Sequence, residues 1–175
     1  MRRARKGLAR SFQITSIYSE FTALHNVALA VQACAGHSFR FWRPAHSDAS
    51  VISPAEKILQ EVGLGSRANA LAANLSHGEQ RQLEVAMALA TNPRLLLLDE
   101  PMAGMGAEES QRMIAFLAKL KGRQTMILVE HDMDAVFKLA DRISVLVYGR
   151  VIATGAPEQI RINEEVRKAY LGEEA

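Results

Sequence analysis

Two adjacent carboxylates, Asp99 and Glu100, directly follow a run of four leucines at positions 95–98. Such a run indicates a short buried strand, and α/β proteins bind ligands where their strands end. There Asp99 could hold Mg²⁺ directly or through water, and Glu100 could orient or deprotonate an attacking water. Strands also end in acids simply because the chain reaches the surface. The pair alone therefore leaves open both a nucleotide-hydrolysing site and an ordinary surface turn.

A second group of chemically useful residues is Leu-Ser-His-Gly-Glu-Gln at positions 75–80. A serine hydroxyl and small residues at a helix N-terminus can form an anion site, because the first amides are free and the helix dipole is positive there. Ser76 with Glu79 is also a capping box, which is an ordinary way to begin a helix. The capping box does not explain why a strand ending in Asp-Glu follows. The helix after this motif has a predicted buried face formed by Leu83, Ala86, Met87 and Ala90.

The elements that must position these groups alternate in the second half of the chain. Continuous apolar strands alternating with helices imply an α/β fold with a parallel sheet flanked by helices. In the first half we predict a strand at 7–14, helices at 23–35, from Pro54 and near Arg67, and an irregular insertion at 36–53. In the second half we predict strands at 95–98, 125–129 and 143–147, helices from about 107 and over 133–140, a hairpin at Gly149 and two final helices.

Composition excludes several classes of protein. The 175 residues are 49% hydrophobic and 23% charged, which excludes a disordered or collagen-like chain. A single cysteine, Cys34, fits a reducing cytosol, and the five histidines show no metal-ligand spacing. No apolar run approaches the roughly 18 residues that a membrane helix needs.

The basic residues cluster near the start of the chain, although the net charge is only +2. No interleaved aromatic residues follow them, so we interpret them as a solvated arm and expect no nucleic-acid partner. They are Arg2, Arg3, Arg5, Lys6 and Arg10.

Four motifs together resemble those of ATP-binding-cassette (ABC) transporter ATPases, in the family's order and spacing. Positions 75–80 resemble the signature motif and positions 95–100 the Walker B segment. Gln13, in Arg-Ser-Phe-Gln, matches the Q-loop glutamine, and His131, in Val-Glu-His-Asp, matches the switch histidine. The resemblance implies a partial P-loop NTPase fold of the ABC type, with an α-helical subdomain, and the cofactors ATP and Mg²⁺.

The resemblance also implies a role for each catalytic residue. Gln13 would ligate Mg²⁺, sense the attacking water and link the catalytic core to the helical subdomain. Asp99 would position Mg²⁺, and Glu100 would act on the water. His131 would contact the γ-phosphate and stabilise charge as it develops. We therefore expect these four side chains to converge around the terminal phosphate of a nucleotide.

The resemblance implies that the signature residues also bind nucleotide, and these are Ser76, His77, Gly78 and Glu79. In this family the residues that correspond to Ser76 and Gly78 act in trans, on the nucleotide held by a partner subunit. We expect three regions: 1–13 as a remnant of the catalytic core, 14–90 as the helical subdomain with the signature, and 91–175 as the RecA-like core.

Closer resemblance lies with importers of branched-chain amino acids, in the segments at 100–105, 129–133, 154–160 and 169–173. It implies a second ATPase subunit and two transmembrane permease subunits as partners, with a periplasmic or extracellular solute-binding protein acting indirectly. The chain would then be peripheral, at the cytoplasmic face of the membrane, with its permease contact within roughly residues 14–40. Urea and amide importers share these traits and remain alternatives.

The sequence departs from the family pattern in three motifs: the signature, the D-loop and the phosphate-binding loop. His77 and Glu79 replace the commonest glycine and glutamine of the signature, and Gly106 stands where the D-loop usually has aspartate. No Gly-x-x-x-x-Gly-Lys-Ser/Thr loop occurs anywhere in the sequence. We therefore expect a gene fragment or a start codon assigned downstream of the real one, and no measurable ATP hydrolysis by the chain alone.

Other functions remain open at this point. A catalytically dead cassette could lend Ser76 and Gly78 to a complete partner ATPase. An exporter subunit and a non-transport ABC protein fit less well, because the C-terminal segments are importer-like and no coiled-coil insertion or tandem cassette is visible.

Overall fold

The structure is a computed structural model that describes residues 6–10, 17–35 and 48–171. It divides into two compact units, Met1–Val129 and Glu130–Ala175.

A three-stranded parallel sheet organises the first unit. Its strands are β1 (Leu8–Arg10), β2 (Leu95–Asp99) and β3 (Thr125–Val129), in the spatial order β1-β2-β3. The leucine run forms β2 as predicted, with Leu96 and Leu98 almost fully buried on one face. The register aligns Leu97 with both Arg10 and Ile127, and Asp99 with Val129. The predicted first strand is confirmed over Leu8–Arg10, Gly7 lies in the turn before it, and positions 11–14 lie outside the described residues.

The apolar run at 125–129 predicts a buried strand, and that prediction is wrong, because none of the five residues of β3 is buried. Ile127 and Val129 are 50% and 49% exposed. Successive side chains of a strand point to opposite faces, so Ile127 and Val129 share the face that carries Leu97 and Asp99 of β2. Little of the described structure covers that face. A continuous apolar run indicates a strand but cannot tell which of its faces is covered.

Three helices form the helical part of the first unit: α1 (Ala23–Ala35), α2 (Ala49–Glu61) and α3 (His77–Ala90). α1 begins as predicted, because the hydroxyl of Thr22 accepts a hydrogen bond from the backbone N–H of His25 at 3.1 Å. The three helices pack against one another around apolar side chains that are fully buried. These include Val27, Leu59 and Leu83.

The start of α2 differs from the prediction. The helix begins at Ala49, so Pro54 lies inside it and does not occupy its first position. The cause is Asp48, whose carboxylate accepts a hydrogen bond from the backbone N–H of Ser50 at 2.9 Å and so caps the helix earlier. The irregular insertion predicted over 36–53 therefore ends by Asp48, and positions 36–47 lie outside the described residues.

Between α2 and α3 the predicted helix near Arg67 is two short 3₁₀ turns, Gly65–Arg67 and Ala72–Asn74. The fourth helix, α4 (Ala107–Leu120), follows the Asp99-Glu100 pair and runs as predicted. Its apolar face is buried, and it consists of Met113, Phe116, Leu117 and Leu120.

The second unit is built on an antiparallel hairpin of β4 (Ile143–Val147) and β5 (Arg150–Gly155). Its turn is Tyr148-Gly149, where both residues have positive φ (48° and 76°), as a type I′ hairpin turn requires. Helices α5 (Met133–Leu139), α6 (Pro157–Arg161) and α7 (Glu164–Val166) accompany the hairpin, and a π-helical turn, Arg167–Leu171, follows α7. The core of this unit is formed by Ile143, Val145, Ile160 and Val166.

None of the helices within 6–10, 17–35 and 48–171 is long and apolar enough to cross a membrane.

The buried side chain of Asn26 fixes the loop before α1. Its Oδ1 accepts a hydrogen bond from the backbone N–H of Tyr18 at 2.8 Å. Its Nδ2 donates to the carbonyls of Tyr18 and Thr22, both at 3.0 Å. An amide in this position satisfies backbone groups that would otherwise be left without partners away from water.

We expect Asn26→Ala to lower the free energy of unfolding by about 2 kcal/mol, because it leaves these backbone groups unsatisfied. Urea unfolding monitored by circular dichroism measures the loss. His25→Ala, at the exposed neighbouring position, is the matched control and should change stability by less than about 0.5 kcal/mol. Equal stabilities for the two variants would show that Asn26 does not hold the loop.

Candidate functional site

The signature segment forms the N-terminus of α3, with Ser76 as its N-cap. The Ser76 hydroxyl accepts a hydrogen bond from the backbone N–H of Glu79 at 3.2 Å. In return, the Glu79 carboxylate accepts one from the backbone N–H of Ser76 at 2.8 Å. The predicted capping box is confirmed, and it places the exposed Ser76 hydroxyl at the positive end of a 14-residue helix.

Glu79, which departs from the family's usual glutamine, is directed into this cap. Its second oxygen accepts a hydrogen bond from the Arg67 guanidinium at 3.1 Å. Both oxygens are therefore engaged by the cap and by an adjacent cation, so the carboxylate repels an anion at the helix N-terminus less than a free carboxylate would.

Close contacts explain why glycine occupies two positions near the signature. A Cβ at Gly78 would lie 2.5–2.8 Å from the carboxylate atoms of Glu109 in α4. Gly104, which has φ +75°, would place a Cβ 2.7 Å from Nε2 of His77. His77 and Gly78 of the signature thus contact the segment that follows the Asp99-Glu100 pair.

That carboxylate pair lies at the C-terminal end of β2, as predicted. The backbone N–H of Glu100 donates to the carbonyl of Val129 at 2.9 Å, and Glu100 itself has φ +46°. A residue other than glycine in this region carries strain of roughly 1–3 kcal/mol, which is commonest at functional sites. The turn at Glu100 ends the strand and begins the segment that leads to α4.

Asp99 has a partner that the sequence reasoning missed. An Arg10 guanidinium nitrogen donates a hydrogen bond to the Asp99 carboxylate at 3.0 Å, with side-chain exposures of 51% and 25%. Arg10 therefore belongs to β1 and to the candidate site, and its assignment to a solvated arm is wrong. The parallel register explains the contact, because Arg10 is level with Leu97 and so shares a sheet face with Asp99 two residues later.

The two remaining predicted residues are placed differently. Gln13 lies outside the described residues. His131 belongs to the second unit, just before the N-cap of α5, and its side chain is 74% exposed. Its Nδ1 lies 3.8 Å from a Glu130 carboxylate oxygen. The convergence of these residues with Asp99 and Glu100 stays a prediction.

The first unit contains two kinds of group that can bind parts of a magnesium nucleotide, a carboxylate for the metal and a helix N-terminus for a phosphate. Within the described residues, no group of three or more histidine, cysteine or acidic side chains could hold a metal ion. Mg²⁺ commonly takes one or two carboxylates and completes its shell with phosphate oxygens and water. Asp99 fits as such a ligand, and the α3 N-terminus fits a phosphate group.

Family models match both ends of the chain. Residues 1–103, more than half of the chain, match the model described as ABC transporter. Residues 150–175 match the model described as branched-chain amino acid ATP-binding cassette transporter.

Curated relatives agree with these matches. The chain is 41% identical over 177 aligned residues to the high-affinity branched-chain amino acid transport ATP-binding protein BraF of Pseudomonas aeruginosa, covering 97% of this chain and 69% of the relative. It is 38% identical to LivG of Escherichia coli, a protein with the same description, with the same coverage of both chains.

Solved structures share the fold. The ADP conformation of an ATP-binding cassette of an ABC transporter superimposes with a TM-score of 0.76 at 27% identity, over 97% of this chain and 70% of that one. A nucleotide-free ATP-binding cassette from an ABC transporter gives a TM-score of 0.73 at 26% identity, over 99% of this chain and 68% of that one. The predicted α/β fold of the ABC ATPase type is confirmed.

Proposed function

This chain belongs to the ABC transporter family, and we propose that it is an ATP-binding subunit of an importer for branched-chain amino acids. The observation that carries the proposal is its 41% identity to BraF across 97% of its length. The C-terminal match at residues 150–175 supports the same substrate class. The segments that resemble those of importers, at 100–105, 129–133, 154–160 and 169–173, favour uptake over export.

The proposed cofactors are ATP and Mg²⁺, and the proposed site residues are those of the motifs. Bound Mg-ATP would supply the phosphoanhydride bond whose hydrolysis drives transport. Asp99 and Gln13 would hold the metal, and Glu100 would take the proton of the attacking water. His131 would donate a hydrogen bond to the terminal phosphate, where negative charge would develop.

Ser76, His77, Gly78 and Glu79 act on the nucleotide of a second ATPase subunit. Supporting this, Ser76 is exposed at the N-terminus of α3, where a partner subunit can approach it. The described part of the signature therefore favours a role in trans.

The division of labour along the chain follows from these roles. We propose that residues 1–13 contribute to the catalytic core, residues 14–90 form the helical subdomain and residues 91–175 form the RecA-like core. Two transmembrane permease subunits anchor the chain peripherally at the cytoplasmic face of the membrane, and a solute-binding protein outside delivers the amino acid.

The permease contact is proposed within residues 14–40. An exposed aromatic pair there supports it: Tyr18 and Phe21 are 57% and 42% exposed, with ring centroids 5.5 Å apart. Aromatic side chains exposed at one place on a surface are typical of protein interfaces.

A second candidate is a catalytically dead cassette that supplies only the signature in trans. The sequence feature that favours it is the absence of a Gly-x-x-x-x-Gly-Lys-Ser/Thr loop from the 175 residues. Both candidates place Ser76 on the nucleotide of the partner, and they differ in whether Glu100 contributes to hydrolysis.

Leucine uptake into proteoliposomes tests the substrate class. The vesicles carry the permease pair and solute-binding protein of a BraF-type importer, one complete ATPase subunit and internal ATP. We expect that adding this chain as the second ATPase subunit raises leucine uptake, with glucose uptake as the negative control. If the chain binds the complete subunit but leaves leucine uptake unchanged, the importer assignment fails.

Leucine uptake measured with the Glu100→Gln variant in the same vesicles separates the two candidates. Loss of the gain in uptake shows that Glu100 contributes to hydrolysis, whereas an unchanged gain favours the cassette that supplies only its signature.

A further inference from the structure

We propose that Glu109 is a positioning residue that holds the hydroxyl of the signature serine, Ser76, in a hydrogen bond. A phosphate can then bind this hydroxyl only after the Glu109 carboxylate has released it. The inference rests on the proposed function for the identity of the anion, a nucleotide phosphate. The contacts that carry it are those of this chain alone.

The hydroxyl of Ser76 has no hydrogen left for a phosphate. It accepts a hydrogen bond from the backbone N–H of Glu79, and it donates its single hydrogen to Oε1 of Glu109 at 3.0 Å. A phosphate oxygen accepts hydrogen bonds and cannot donate to the serine unless it is protonated. Glu109 and an incoming phosphate therefore compete for the same hydrogen.

Glu109 also fills the space through which an anion would approach the helix. All three carboxyl atoms of Glu109 lie 2.5–2.8 Å from where a Cβ of Gly78 would stand. The carboxylate thus occupies the space that the absence of a side chain at Gly78 leaves, next to the positive end of α3. Its negative charge opposes a second anion there.

The second oxygen of Glu109 links the signature to the segment between the catalytic carboxylates and α4. This oxygen accepts a hydrogen bond from the backbone N–H of Gly106 at 3.3 Å. His77 packs against Gly104 in the same segment. Glu109 therefore contacts both the signature serine and the N-cap of α4, Gly106, which ends the segment that follows the Asp99-Glu100 pair.

A cleft beside Glu109 can accommodate its carboxylate after the hydrogen bond to Ser76 has broken. A cleft of about 380 Å³ is lined by Glu109 together with Arg112 and Lys119 of the same helix. Arg112 follows Glu109 by three residues, a spacing at which helix side chains meet. The Arg112 guanidinium can accept the carboxylate as it turns from Ser76, so release need not leave it without a counter-charge.

Glu109→Gln tests the inference without breaking the cap of α4, because the amide oxygen still accepts from Gly106. The variant removes the negative charge and offers Ser76 a donor, which frees the serine hydrogen. Glu108→Gln is the matched control: Glu108 is exposed in the same first turn of α4. The full chain, labelled with ¹⁵N, is titrated with inorganic phosphate while the amide resonances of Gly78 and Glu79 are followed.

We expect Glu109→Gln to bind phosphate about fivefold more tightly than the unmodified chain and Glu108→Gln, because one charge next to the anion is removed. Unchanged thermal melting of both variants separates this effect from a structural one. Equal affinities in the three proteins, weaker binding by Glu109→Gln, or no binding by any of them overturns the inference. The titration needs no partner, so its result can be interpreted even if this chain does not raise leucine uptake. A negative uptake experiment would count against the proposed function and not against this inference.

Discussion

A polypeptide of these 175 residues, assayed alone, is expected to hydrolyse Mg-ATP no faster than its Glu100→Gln variant. The physical reason is the phosphate loop that the sequence does not contain. Such a loop provides several backbone amides, a lysine and a magnesium-binding hydroxyl to the phosphates. Charge-assisted hydrogen bonds are worth about 1.5–3 kcal/mol each, so lacking three of them weakens nucleotide binding by roughly 5 kcal/mol.

That deficit corresponds to more than about three decades in affinity. Isothermal titration with Mg-ATP measures the binding, and a phosphate-release assay measures the turnover. The control is a complete ATPase subunit of the BraF type under the same conditions. Turnover by the chain above that of Glu100→Gln would show that it builds a working site without the loop.

The second large effect is expected at Ser76 when the chain is mixed with a complete ATPase subunit. Removing one donor aimed at developing charge commonly costs on the order of 100-fold in rate. Arginine at this position also removes the N-cap of α3 and places a bulky side chain where the phosphate should lie. We therefore expect Ser76→Arg to reduce the stimulation of the partner's ATPase activity by about 100-fold or more.

Ser76→Thr is the matched control, because threonine keeps both the hydroxyl and a good N-cap. It should retain most of the stimulation. Circular dichroism of each variant checks that α3 is still formed. Full stimulation by Ser76→Arg would place the nucleotide of the partner elsewhere.

The sequence was sufficient for the elements whose patterns are regular. The four-leucine strand, the helix over 107–120 and the hairpin at Gly149 each have a local signal: an apolar run, a period near 3.6 or a positive-φ turn. The capping box of Ser76 and Glu79 is equally local, since both residues lie within one helical turn. These predictions needed no knowledge of tertiary contacts.

What the sequence did not supply depends on contacts between distant segments. Ser76 and Glu109 are 33 positions apart, and Arg10 and Asp99 are 89 apart. Glu109 has an ordinary place in the first turn of a helix, which satisfies the helix dipole and gives no sign of a second role. Arg10 could have been found by extending the parallel register from the first strand to the leucine run.

Local competition between signals caused the other errors. Pro54 is a strong signal for a helix start, but the carboxylate of Asp48 caps the chain earlier and the helix runs through the proline. The exposure of Ile127 could not be inferred, because an apolar run reports hydrophobicity and not which face of a strand is covered.

Sedimentation velocity with a stalled partner tests the central claim most directly, namely that Ser76 of this chain completes the nucleotide site of a second ATPase subunit. The partner is a complete BraF-type subunit whose catalytic glutamate is replaced by glutamine, so that bound ATP persists. We predict a one-to-one complex with this chain that forms in Mg-ATP, disappears in ADP and is absent for Ser76→Arg. A chain that sediments as a monomer beside the ATP-bound partner, or a complex indifferent to both ATP and Ser76→Arg, would contradict the account.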